Sequence, residues 1–166
     1  MLIFDASTLI LLSKIDLLEI FISNFDLRIL IPEMIRTEVC IEGRNETPLL
    51  VRLIKEEKIS VLKVKNNRLI RKFMEDFNID IGEAEVLALA LEEKVSIVAT
   101  DDRNAIRACK VLKIDFITAI AVLIRTLEKK LIDKEEAIIK LKKLESVARY
   151  NRAIIEDARN KIAGGF

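Results

Sequence analysis

The sequence predicts an α/β sandwich with a mostly parallel sheet. Short apolar segments alternate along the chain with longer ones of helical periodicity, the pattern of strands joined by crossover helices. Of the 166 residues 51% are hydrophobic and 33% charged, with only four Gly and two Pro, which is a compact, helix-rich composition. Two apolar segments, Leu2-Ile3-Phe4 and Val95-Ser96-Ile97-Val98-Ala99-Thr100, run straight into aspartate, at Asp5 and at Asp101-Asp102. In an open α/β sheet, ligands bind in the crevice at the carboxyl ends of the strands. Acids delivered there from distant segments repel one another unless a cation or a proton sits between them.

Residues 2–5 read as a short buried strand, and Ser7 or Thr8 starts a helical stretch over 9–13. A second helical stretch covers 15–21. Residues 28–31 form a strand ended by Pro32, which suits the first turn of a helix running to about residue 42. Gly43-Arg44-Asn45 is a loop, and Thr47-Pro48 opens a helix to about residue 55. Residues 59–64 are strand-like but interrupted by Lys63, and 67–77 are helical. Asp80-Ile81-Gly82-Glu83 opens the most apolar helix, 84–91, hydrophobic nearly all round and therefore central. The strand leading to Asp101-Asp102 follows, then a helix over 103–112 and a strand over 114–117. Helices over 119–129, 133–145 and 148–162 precede a frayed Ala-Gly-Gly-Phe tail. The length fits one domain, and no repeat or low-complexity linker divides it.

Composition excludes several function classes. Twenty-eight basic residues balance twenty-seven acidic ones, so nucleic-acid affinity would have to come from a local basic patch. The absence of histidine removes Ser-His and Cys-His catalysis and every His-dependent metal site. Cys40 and Cys109 match no zinc spacing and read as buried thiols. What remains is carboxylate-based metal chemistry, which suits hard cations such as Mg²⁺ or Mn²⁺. The start lacks a signal peptide's basic region, and no apolar run approaches the ~20 residues of a membrane span. A cytoplasmic protein without membrane association is expected.

Two further acids interrupt apolar faces. Glu38 follows Ile35 by three residues and Met34 by four, and precedes Ile41 by three, so on a helix it stands within their stripe. Glu83 shares a face with Val86, Leu87 and Ala90. A charge pointed into a core is costly unless paired or metal-bound. Each acid also has a plainer reading. Glu83 fits a capping box with Asp80, Thr100 or Asp101 fits a cap for the helix at Arg103, Asp5 fits a strand-end turn, and Glu38 fits a solvated helix position.

Phe4-Asp5-Ala6-Ser7, then Ile31-Pro32-Glu33-Met34-Ile35-Arg36-Thr37-Glu38-Val39, then Ile81-Gly82-Glu83-Ala84-Glu85-Val86-Leu87-Ala88-Leu89-Ala90, then Val98-Ala99-Thr100-Asp101-Asp102 resemble a PIN domain in order and spacing. The resemblance runs from residue 1 to about 130 and is nearest to archaeal members with a Gly-Glu-Ala-Glu helix start. It implies a three-layer α/β/α sandwich over 1–130, with 131–166 as a C-terminal helical extension packed on the same domain. It also implies a metal-dependent ribonuclease, of the kind that serves as a VapC-type toxin in toxin–antitoxin pairs. The resemblance makes Asp5, Glu38, Glu83 and Asp102 the catalytic acids, since Glu85 matches the third position less well. Asp5, Glu83 and Asp102 would hold the metal, with Asp101 as a further ligand or a cap, and Ser7 and Thr100 in support.

One or two Mg²⁺ or Mn²⁺ ions held by carboxylates supply what phosphodiester cleavage requires without histidine. Products with 5′-phosphate and 3′-hydroxyl ends follow from the resemblance. Arg36 and Arg103 flank the acids and are the expected substrate contacts, Arg107 standing one turn beyond Arg103. The densest basic stretch is Lys63, Lys65, Arg68, Arg71 and Lys72, which equally suits an ordinary solvated surface. With one Tyr and no Trp, few platforms for stacking bases are visible. The expected partners are RNA, single-stranded or structured, an antitoxin protein and a second copy of the chain. The alternative is a non-catalytic metal- or RNA-binding module of the same fold acting through protein partners. A receiver-type phosphorylation domain is disfavoured, because the late strand ends in Asp115-Phe116-Ile117-Thr118 without the required Lys.

Overall fold

The protein is described by a computed structural model over residues 1–95 and 97–164. Ser96 of the second acid-tipped strand, and Gly165-Phe166 of the expected frayed tail, lie outside the described residues. Five strands, β1 (Leu2–Phe4), β2 (Ile29–Pro32), β3 (Ile59–Leu62), β4 (Ile97–Ala99) and β5 (Asp115–Ile117), form one sheet in the order β3-β2-β1-β4-β5. Every pairing is parallel, with Ile3 opposite Leu30 on one side and Val98 on the other. β1 and β2 are buried throughout, which explains their unbroken apolar sequences. β5 is an edge strand and exposes Asp115 and Phe116.

Ten helices among the described residues surround the sheet as a three-layer α/β/α sandwich. They are α1 (Ala6–Lys14), α2 (Leu18–Asn24), α3 (Glu33–Val39), α4 (Thr47–Lys55), α5 (Asn67–Phe77), α6 (Ile81–Glu92), α7 (Arg103–Leu112), α8 (Ala119–Glu128), α9 (Lys134–Val147) and α10 (Arg152–Gly164). α6 lies across β2, β1 and β4 with α5 and α7 beside it, so its apolar surface is covered on nearly all sides. On the opposite side α1 packs with α2, α8 and α9, and α10 closes on α8 and α9. Lys140 of α9 is 8% exposed, and its Nζ donates to Ile15 O at 2.9 Å and Asp16 O at 3.2 Å. It thus satisfies carbonyls at the end of α1 that the helix itself leaves without partners.

Several boundaries differ from the sequence reading. α1 starts at Ala6 because Asp5 is its N-cap, ahead of Ser7 and Thr8. The second helical stretch starts at Leu18, not residue 15, since Asp16 takes a positive φ of 54° and turns the chain. α3 stops at Val39, and Pro32 belongs to β2 instead of the helix. The last helix begins at Arg152, which leaves residues 148–151 as a non-helical link. Cys109 is buried as expected, whereas Cys40 is partly exposed. Among the described residues no helix is long and apolar enough to cross a membrane.

Strand order places a topological switch at β1: the chain runs outward to β2 and β3, then returns to β1's other side for β4 and β5. The crevice between β1 and β4 is where such sheets bind ligands. The residues just past these two strands are Asp5 and Thr100-Asp101-Asp102.

Candidate active site

Asp5 continues the ladder beyond β1, its N–H donating to Ala99 O at 3.0 Å. Its side chain is 3% exposed, with Oδ1 accepting from Thr8 N at 2.7 Å and Oδ2 from the Ser7 hydroxyl at 3.0 Å. Burial raises its pKa, while polar contacts from Thr100, Thr8 and Ser7 pull it back. A buried carboxylate so supplied with donors, and with no basic partner among the described residues, is prepared to hold negative charge beside a cation.

The pair at the end of β4 divides. Asp102 is the N-cap of α7: its Oδ1 accepts from Asn104 N and Ala105 N, both at 2.8 Å. The cap expected from Thr100 or Asp101 therefore falls one residue later. Thr100 instead steadies the turn, its hydroxyl accepting from Asp102 N at 3.3 Å. Asp101 is engaged on both oxygens. It accepts from the Tyr150 hydroxyl at 2.6 Å, the Thr8 hydroxyl at 2.9 Å, and Ala119 N at 3.0 Å. One carboxylate thereby joins α1, the first residue of α8 and the link before α10.

Glu83 forms the capping box with Asp80. Asp80 Oδ1 accepts from Glu83 N at 2.8 Å, and Glu83 Oε2 from Asp80 N at 3.0 Å. The other oxygen, Oε1, accepts nothing from a described residue. Partial burial, followed by the charges of Asp80, Asp102 and Asp5, pushes the Glu83 pKa up to about 7 against the hydrogen bond from Asp80. Glu38, half-buried on α3, is raised first by burial and then by the charges of Asp80, Asp5 and Glu85. Its Oε1 lies over Gly82, where an added Cβ would collide with it and stand 3.1 Å from Ile35 Cδ1. The absence of a side chain at Gly82 is what lets α3 bring this carboxylate against the start of α6. Glu85 has a different task, accepting from Met34 N at 3.2 Å at the start of α3, which lacks a side-chain cap of its own.

Asp5 thus acts electrostatically on both Glu38 and Glu83, and Asp102 on Glu83, so acids from four elements are linked by mutual repulsion. Their all-oxygen donor set suits a hard divalent cation. Among the described residues no three acidic side chains stand close enough to share one ion.

Glu83 and Asp102, but not Asp5 or Glu38, border a cavity of about 560 Å³ that also includes Ser7 and Arg103. Arg36 is exposed on α3 and does not line it. Arg107 donates to Phe77 O at 3.3 Å. The basic stretch of 63–72 lies elsewhere: Lys65 N and Asn66 N bind the Glu92 carboxylate, and Lys72 pairs with Asp76. The sequence reading missed the wall formed by Arg149, Tyr150, Asn151, Ile154 and Lys161. A signal was present: Asn151 suits an N-cap for a helix starting at Arg152, and its Oδ1 accepts from Ala153 N at 2.9 Å.

A family model described as a PIN domain (DUF3368) matches residues 1–163. No curated protein matches the chain.

Proposed function

Since the chain belongs to the PIN domain family, we propose that it is a divalent-metal-dependent endoribonuclease whose site is the crevice between β1 and β4. The observation that supports this best is the coupling of Asp5 with Glu38 and Glu83, and of Asp102 with Glu83, without any ion pair from these four to a described basic residue. Unneutralised acids grouped in this way destabilise the metal-free fold, and a cation relieves that cost.

Asp5 would ligate Mg²⁺ or Mn²⁺, Glu83 and Asp102 would complete its coordination directly or through water, and Glu38 would orient water from the α3 side. When bound, the cation would supply neutralisation of phosphate charge and acidify the attacking water. The protein's own contribution is positional. Ser7 and Thr8 fix both oxygens of Asp5, while Asp80 N and the first turn of α7 each fix one oxygen of Glu83 and Asp102. The second oxygen of Glu83 and of Asp102 accepts no hydrogen bond from a described residue and is available to the cation. Arg103, at the cavity's edge, would meet a substrate phosphate. A toxin role, an antitoxin partner, a homodimer and a cytoplasmic location extend this proposal on the family resemblance alone.

The test is incubation of labelled single-stranded RNA and DNA with the protein in Mn²⁺ or EDTA, beside Asp5→Asn. Cleavage of RNA that needs Mn²⁺ and disappears in Asp5→Asn is the expected result. Equal inertness of wild type and Asp5→Asn toward every substrate would instead favour the non-catalytic module.

A further inference from the structure

The cavity is lined by Glu83, Asp101, Asp102 and Asp157, of which Asp101 is engaged on both oxygens and Asp157 pairs with Lys161 at 2.9 Å. Beyond Glu83 and Asp102 it runs into an apolar interior, to which Leu11, Ile106 and Ile124 contribute from α1, α7 and α8. Its far wall is the C-terminal segment, with Tyr150, Ile154 and Arg149. The Tyr150 hydroxyl is held on Asp101 at 2.6 Å, so the chain's only tyrosine has a fixed place in that wall. The volume of about 560 Å³ is within the roughly 300–1,000 Å³ of small-ligand sites. Arg103 and Arg149, both exposed, border it, and neither makes an ion pair with a described residue.

We propose that this cavity receives one unpaired nucleobase of the RNA strand, seated between the aliphatic floor and the Tyr150–Ile154 wall, with Arg103 and Arg149 on the flanking phosphates. The proposal rests on the nuclease reading above and specifies which part of the substrate the C-terminal segment holds. The two arginines without an ion pair to a described residue and continuity with the acids support it: a phosphate on a cation at Asp102 and Glu83 places its attached nucleoside at the cavity mouth. A base stacked in a duplex cannot enter, so the pocket selects unpaired strands. Because Tyr150 is already tethered, ordering it on binding costs little, and an aromatic platform accepts any base.

Binding is read by fluorescence anisotropy in EDTA, without cleavage, using a short single-stranded RNA, a fully abasic oligonucleotide of equal length, and a duplex. Intact RNA is expected to bind about tenfold tighter than the abasic strand. Ile154→Glu is expected to remove that difference, its added negative charge also weakening the abasic strand. Ile154 is 50% exposed, so the substitution leaves the core intact, and Ile154→Gln serves as a milder second variant. Arg149→Glu is expected to weaken both strands. Equal binding of intact and abasic strands by the wild type, no binding of either, or full discrimination in Ile154→Glu would each overturn the pocket. So would a dimer that dissociates on Ile154→Glu, which would assign the face to a second copy. Base-dependent binding without cleavage under any metal supports the pocket while removing the nuclease reading. Cleavage without base-dependent binding does the reverse.

Discussion

Asp101 accepts hydrogen bonds from Thr8, Tyr150 and Ala119, whereas its neighbour Asp102 spends one oxygen on the first turn of α7. Asp101→Ala strands a buried threonine hydroxyl and unties the C-terminal link, at a cost of about 2 kcal/mol. Asp102→Ala loses only a helix cap, about 1 kcal/mol, but is expected to abolish metal-dependent cleavage. Urea midpoints and cleavage rates of the two variants check this contrast. In the sequence the two aspartates are nearly interchangeable, because the choice of cap depends on where α7 begins and Asp101's strongest partner lies 49 residues away. Glu83 was legible both as a capping residue and as an acid on an apolar face, and the structure shows it in both roles. Its pKa, raised from 4.5 to about 7, has a signed consequence for the metal-free protein. Over that interval the unfolded chain has released the proton that the folded chain retains, so Glu83's contribution to stability is present at lower pH and is lost as pH rises toward 7. Glu83→Gln is expected to make the decline in urea midpoint across this window shallower in EDTA, although Asp5 and Glu38, also raised, keep part of it.

At the scale of elements, α6 organises the site. Its capping box holds Glu83, Glu85 caps α3, and Gly82 admits Glu38. Gly82→Ala is expected to displace the flexible end of Glu38 more than the fold, lowering cleavage about tenfold with little change in melting temperature. A large drop in melting temperature would show that Ile35, not Glu38, takes the strain. The apolar run of α6 made its central position plain in the sequence, and the Asp80-Ile81-Gly82-Glu83 start marked its first turn. The close approach of α3 was not legible, since a glycine's neighbour across a helix–helix contact leaves no trace in local pattern. The 148–151 link was hidden for a related reason: Ala148 and Arg149 favour helix, and only the tertiary bond from Tyr150 to Asp101 explains their departure from it.

For the whole molecule, the two strands ending in aspartate are legible because a parallel sheet buries its central strands on both faces and releases polar residues only at their ends. Strand order then decides which ends meet, and the switch at β1 puts Asp5 beside the β4 turn. Proton release links the parts: a cation among these carboxylates competes with the proton on Glu83, so Mn²⁺ affinity should rise from acid to neutral pH. The measurement that addresses the central claim most directly is calorimetric titration of Mn²⁺ into the wild type and Asp5→Asn at neutral pH. Saturable binding by the wild type, its loss in Asp5→Asn and its retention in Ile154→Gln are the expected results. Absence of Mn²⁺ binding in the wild type, or undiminished binding by Asp5→Asn, would contradict that claim.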